Sequence, residues 1–258
     1  MLKPLVWKFR KHRELLGEGY KHSLLLDILF SGYRQNAFEQ WRNHPIKCAK
    51  EMGCFFTIET PPQSLREIFV EGIYDIEGFK PDENSVVIDV GASYGDSTIW
   101  WANRFNATVI AFEPLESVFR ILEKNVKLNK GKIITHNIAL GNGGKLTGFS
   151  NGAMFIAGEN RDDIDFPSIS LDQFSFERVD ILKIDVEGFE LEVLNGARKT
   201  ILSHNPRIIL EVHTSELKKK CHTFLTELGY GLALEGRKIK ADFPGMDLVQ
   251  NLFYSKNS

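Results

Sequence analysis

Cysteine is scarce in this chain of 258 residues, and the three present form no ligand spacing. Cys48, Cys54 and Cys221 make neither a CxxC pair nor a partner for a His-x-x-x-His, which excludes a zinc module readable from spacing. So odd and sparse a count also excludes a disulfide framework and points to a reducing, cytoplasmic location. An excess of either charge is lacking too. The 32 basic and 34 acidic residues leave a formal net charge of -2, which argues against a general nucleic-acid surface. Long apolar runs are missing: Leu24–Phe30 is too short to span a bilayer and is broken by Asp27, so no stable membrane insertion is expected. Met1–Lys11 carries charge with no sustained apolar region after it, so no signal peptide is expected. There is no internal repeat and no low-complexity tract.

What remains is an alternating pattern. Met1 to about Glu59 reads as a small N-terminal helical segment, with Pro45 as a breaker. Thr60-Pro61-Pro62-Gln63-Ser64 reads as a hinge into a second unit, 60–258. There a helix is expected over Leu65–Glu71, with Ser64 as N-cap and Glu67 closing a capping box. Strands are expected at Ser85–Val90, Thr108–Phe112, Lys132–Thr135, Asp180–Ile184 and Arg207–Val212, separated by helices near 95–104, 115–128, 190–202 and 217–228. Strands alternating with amphipathic helices imply right-handed crossovers and a mostly parallel sheet. Their near-continuous apolar runs fit burial on both faces. Two late strands, Tyr230–Leu234 and Leu248–Tyr254, are joined by a link too short for a crossover, so the last is expected antiparallel. Gly141–Ser170, rich in Gly, Asn and Asp, reads as a long irregular loop recognising an acceptor, or else as a solvated hairpin.

The first strand runs Val86-Val87-Ile88-Asp89-Val90 into Gly91-Ala92-Ser93-Tyr94-Gly95-Asp96, and the second ends Phe112-Glu113-Pro114. A strand, a glycine turn, a helix and a strand ending in an acid form a nucleoside-binding crevice. In one reading this is an S-adenosylmethionine site, with Gly91 and Gly95 admitting the ligand, Glu113 taking the ribose diol and Asp89 the ammonium. A dinucleotide site would prefer Gly-x-Gly-x-x-Gly, and Asp96 at the helix start repels phosphate. In a third reading Gly91-Ala92-Ser93-Tyr94-Gly95 is the nucleophile elbow of a hydrolase, with Asp185 and His213 as partners, but no glycine-rich oxyanion loop precedes it.

Downstream, Ile181-Leu182-Lys183-Ile184-Asp185-Val186-Glu187-Gly188-Phe189-Glu190 puts carboxylates at the end of a central strand. Together with Asp89-Val90-Gly91-Ala92, Phe112-Glu113-Pro114, Asn125…Asn129, Ser170-Leu171-Asp172 and Glu211-Val212-His213, it resembles the FkbM family of methyltransferases over about residues 68–215. The resemblance implies an α/β, Rossmann-like fold with seven strands and helices on both faces. It also implies S-adenosylmethionine as cofactor and O-methylation of a sugar, glycan or natural-product-like acceptor. By position it implies a cofactor set of Asp89, Gly91, Ala92, Ser93, Gly95, Glu113 and Pro114, with Asn137 and Ala139 facing the adenine. Tyr94 departs from the Asn or small residue frequent there and is expected to narrow or cover the cofactor mouth.

Transfer to an alcohol needs its proton removed, a task for a carboxylate or imidazole near the methyl. Asp185 and Glu187 lie at the correct strand end, and Glu211 and His213 follow at the next, two apart and so on one face. The catalytic candidates are Glu187 or His213 as base and Asp185 as a positioning group. The spacing assigns no metal; Asp185, Glu187 and His213 are ligand types without a diagnostic spacing. A small-molecule or glycan acceptor is the expected partner, with a homo-oligomer left open. The non-enzymatic alternative is a nucleoside-binding module that lacks turnover.

Overall fold

The computed structural model describes residues 44–150, 155–157, 164–241 and 246–256. Most of the expected N-terminal helical segment, 1–43, lies outside the described residues, as does part of the link before the last strand. In chain order the described elements are α1 (Pro45–Glu51), α2 (Pro62–Arg66), β1 (Val86–Val90), α3 (Asp96–Phe105), β2 (Thr108–Phe112), α4 (Glu116–Lys127) and β3 (Lys132–His136). Then come β4 (Ala139–Leu140), β5 (Lys145–Ser150), β6 (Phe155–Ala157), β7 (Ile164–Ile169), β8 (Ile181–Ile184), α5 (Glu190–Gly196) and α6 (Arg198–His204). The chain closes with β9 (Arg207–Val212), α7 (Ser215–Glu227), β10 (Tyr230–Ile239) and β11 (Val249–Lys256).

Seven strands form the main sheet in the order β10-β11-β9-β8-β1-β2-β3. The pairs β1/β2, β1/β8, β2/β3 and β8/β9 are parallel, and β11 runs antiparallel to both its neighbours, as the short link required. This is the Rossmann-like α/β architecture, and its order reverses between β1 and β8. Such a switch point leaves a crevice at the carboxyl ends of the strands.

The period of two along each strand sorts the core into two layers. Ile88, Val90, Leu182, Ile184, Leu210 and Val212 pack on one face against Val193, Leu194 and Ile201 from α5 and α6 and Leu225 from α7. Val87, Val109, Ile181 and Ile209 pack on the other against Ile99 and Trp101 from α3 and Leu65 and Phe69 from the segment before β1. Cys48, Ala49 and Cys54 join that second layer, so packing is continuous across the expected boundary at 59/60. The three cysteines are buried free thiols.

Three local expectations need correction. The helix before β1 starts earlier: Pro62 holds the first helical position, where a missing N–H costs nothing, and Ser64 Oγ donates to the Pro61 carbonyl rather than capping. It then widens into a π-helical turn over Glu67–Glu71, ended by Gly72. The expected helix 190–202 is two helices, because Gly196 packs directly on the Gly141 carbonyl and the chain turns at Ala197. The described parts of Gly141–Ser170 are largely strand, not an irregular loop. They supply most of a second, four-stranded sheet of order β4-β7-β5-β6. Its strands are two to six residues long, too short for alternation to show.

Candidate active site

A cavity of about 260 Å³ opens at the carboxyl ends of β1, β2, β8 and β9. Its wall includes Gly91, Ser93, Glu113, Pro114, Ala139, Asp185 and Glu187, which the sequence assigned to the site, and Glu67, Asp96, Lys183 and Glu211, which it gave no role there; in the sequence Glu67 reads as part of a helix cap.

The β1–β2 side is shaped by main chain. Gly91 adopts φ +76°, and a Cβ there would lie 1.8 Å from the Asp185 carbonyl oxygen, so no side chain fits between β1 and β8. Gly95, at φ +87°, has a different reason: a Cβ would lie 2.5 Å from Leu122 Cδ1, so this glycine seats α3 against α4. Ala92 is fully buried in a small core with Ala111 and Leu122. Glu113 leaves the end of β2 and is clamped: Ser93 N donates to Oε2 and Leu115 N to Oε1, both at 2.9 Å. Each oxygen keeps one lone pair for a ligand, the acceptor pattern a vicinal diol requires. Burial pushes the Glu113 carboxyl up to about 7, with the two N–H donors opposing. Asn137 Nδ2 donates to the Glu113 and Pro114 carbonyls at 2.9 and 3.0 Å, fixing the loop after β2.

Asp89 lies beneath this wall. It is fully buried, and its Oδ2 accepts from Ser97 Oγ and Thr98 Oγ1 at 2.7 and 2.6 Å. Its other oxygen is 3.1 Å from Lys183 Nζ. The carboxylate therefore serves the protein's own donors. Tyr94 is partly buried over Leu115, Ala139, Leu146 and Phe189, of which the last three line the cavity.

The β8–β9 side is a network of charged side chains. Lys183, buried on β8, donates to the Gly91 carbonyl at 2.7 Å and stands 3.5 Å from Asp185 Oδ2. Burial alone would strip its proton, but Asp89 and Asp185 hold its affinity above the ordinary lysine value. His213, just past β9, has its Nδ1 2.9 Å from Glu190 Oε1, which also accepts from Gly188 N. Its Nε2 faces Glu187 Oε2 at 3.2 Å, Glu211 Oε1 at 3.5 Å and Asp185 Oδ1 at 3.8 Å. Burial favours the neutral ring, yet the Glu190 hydrogen bond and the neighbouring Glu211 carboxylate overcome it and hold His213 well above its usual range. Burial and the Glu211 charge hold the Asp185 carboxyl well above the carboxylate range, and burial raises Glu187. Burial also opposes ionisation of Glu211, but the adjacent His213 and the hydrogen bond from Asn251 outweigh it and lower its value. Glu187 has φ +54°, a conformation rare for a residue with a side chain, and this turns the loop after β8 back toward the cavity.

Both ring nitrogens of His213 thus face carboxylates, which argues against its serving as the base of a Ser93 hydrolase triad. Six carboxylates against one ammonium line the cavity, an environment that repels phosphate and attracts a cation. Lys183 was detectable as the single charge in the run Ile181-Leu182-Lys183-Ile184; Glu190 stood in the same motif without its His213 partner being readable, and Asn251 carried no such signal.

Residues 89–232 match the family described as the methyltransferase FkbM domain. The chain belongs to the FkbM methyltransferase family. Methyltransferase 1 of Beauveria bassiana is 24% identical over 226 residues, covering 75% of this chain and 88% of that protein. The hexuronic acid methyltransferase AglP of Haloferax volcanii is 26% identical over 185 residues, covering 67% and 75%. The AMB antimetabolite synthetase AmbE of Pseudomonas aeruginosa is 28% identical over 196 residues, 57% of this chain but only 9% of that protein. Among solved structures, methyltransferase FkbM from Methylobacillus flagellatus has a TM-score of 0.48 at 17% identity, covering 90% of this chain and 60% of the other. Among the described residues of this FkbM-family chain, no helix is long and apolar enough to cross a membrane.

Proposed function

We propose that this chain is an S-adenosylmethionine-dependent O-methyltransferase acting on a hydroxyl of a sugar, glycan or natural-product-like small molecule. The observation that carries this reading is the pairing, across one crevice, of a backbone-clamped Glu113 with carboxylates and an imidazole at the ends of β8 and β9. The residues fit the cofactor. Glu113 offers two spare lone pairs to a ribose diol, and the anionic wall suits a ligand bearing sulfonium and ammonium charges. When bound, S-adenosylmethionine supplies an electrophilic methyl group.

The chain's own residues do the rest. Gly91 lets the segment after β8 close against the end of β1, and Ala139 with Leu140 and Leu146 from the second sheet forms an apolar wall that excludes water. Glu187 lies in the cavity wall and takes the proton of the acceptor hydroxyl, and such a positioned base contributes about a hundred- to ten-thousand-fold. His213, held by Glu190, fixes the Glu187 carboxylate, and Asp185, held by Lys183, positions the acceptor. A hexuronic acid is the acceptor printed in the name of the Haloferax relative, which supports a sugar-type acceptor here.

Calorimetry with S-adenosylmethionine should show one-to-one binding that Glu113→Ala abolishes, and a hydroxylated acceptor panel should yield methylated product. Undiminished affinity in that variant would remove the ribose contact. Binding with no product on any acceptor would favour the non-enzymatic nucleoside-binding module.

A further inference from the structure

The donors around His213 Nε2 are held in place by partners outside the group. Asp185 turns Oδ2 toward Lys183 Nζ, 3.5 Å away, and Oδ1 toward His213 Nε2. Glu211 accepts from Asn251 Nδ2 on Oε2 at 2.7 Å, and its Oε1 faces the same nitrogen. The imidazole is itself oriented by Glu190, fully buried, through Nδ1. So three donor groups, each aimed by its own buried neighbour, face one region, with a ligand atom of each within 4.8 Å of the others. The Nε2–oxygen separations of 3.5 and 3.8 Å are long for hydrogen bonds. They match the roughly 3–4 Å spacing of atoms that each sit about 2.1 Å from a shared ion.

We propose that Asp185 Oδ1, Glu211 Oε1 and His213 Nε2 form a binding site for one divalent cation. An ion would displace the Nε2 proton, and the Glu190–His213 contact is then the arrangement by which a carboxylate fixes the tautomer of a ligating histidine, leaving Nε2 as the lone pair. Asn251 and Lys183 perform the same office for the two carboxylates. Two oxygens and one imidazole suit a first-row divalent ion of the Mn²⁺ type. Glu187 is not one of the three ligands: its Oε2, 3.2 Å from Nε2, stands beside the ion as proton acceptor for a hydroxyl held there. This replaces Glu187 by Glu211 in the ligand set that residue types alone suggested. The binding claim stands without the methyl-transfer reading; only the use of the ion in that reaction rests on it.

The test is titration of the metal-free full chain with Mn²⁺, followed by the loss of the free-ion electron paramagnetic resonance signal. One bound ion per chain is expected, displaced by Mg²⁺ or Zn²⁺. Glu211→Gln and Asp185→Asn should abolish it, while Asn251→Ala, which removes only the donor to Glu211, should weaken it about 10–100-fold. Calorimetry with S-adenosylmethionine on the same variants checks folding and separates the two claims. Glu113→Ala should lose the cofactor yet keep Mn²⁺. If Mn²⁺ stays free up to about millimolar concentration, or binds Glu211→Gln and Asp185→Asn as tightly as wild type, the site does not exist and His213 carries only a proton.

Discussion

On the β1–β2 side of the crevice main-chain atoms do the holding: two N–H groups clamp Glu113, and a residue without a side chain lets β8 approach β1. On the β8–β9 side, side chains hold side chains, with Lys183, Glu190 and Asn251 each fixing a group that faces the cavity. The first construction tolerates changes of charge but not of shape. The second tolerates changes of shape but not of charge, because a buried ion left without its partner costs far more than a lost contact.

That contrast can be broken in four places. Lys183→Met should have the largest effect, about 3–5 kcal/mol of stability, since Asp89 and Asp185 lose their shared buried cation; urea unfolding measures it. Gly91→Ala changes no charge and should still cost about 2–3 kcal/mol, because β1 and β8 must part to admit a methyl group. If Gly91→Ala proves harmless while Lys183→Met is severe, shape is not what the first side depends on.

Third, affinity for S-adenosylmethionine should rise about tenfold between pH 6 and pH 8 as the Glu113 carboxyl ionises near pH 7, and Glu113→Gln should flatten that rise. The linkage to stability has the opposite sign. Between about pH 4.5 and 7 the folded chain keeps a proton on Glu113 that the unfolded chain has lost. Its stabilising contribution is therefore full below pH 4.5 and is lost as the pH rises through 7. A stability profile with a reduced slope in Glu113→Gln checks this. Smallest of all, Arg120→Ala breaks the exposed Glu116 pair on α4 and should shift stability by no more than about 0.5 kcal/mol.

The same contrast explains what could be read in advance. Apolar runs such as Val86–Val90 and helical stripes such as that of α4 report their own burial, so the seven strands of the main sheet and the antiparallel last strand were legible, but not the order in which they lie side by side. Glu113 was legible because a strand end fixes where its side chain begins. The His213 network was only half legible. Asp185, Glu187 and His213 stood out as residue types, but their partners are remote in the chain: Asn251 lies 40 residues from Glu211, and Glu190 23 from His213. Asp89 reads as a ligand contact from its strand position; the lysine that pairs with it faces it from the neighbouring strand β8, 94 residues on, so local pattern shows each residue but not their pairing. The second sheet escaped because its glycines and short strands read as turn signals.

One contact joins that second sheet to the chemistry. Ala157, in β6, donates its N–H to the Glu187 carbonyl at 2.9 Å, and its methyl group sits where a Cβ on Gly188 would intrude. The loop carrying the assigned base is thereby stitched to the rim of an accessory layer whose other strands wall the cavity. Rim replacements that reshape the mouth for a new acceptor would leave this stitch, and with it the aim of Glu187, untouched so long as position 157 stays small.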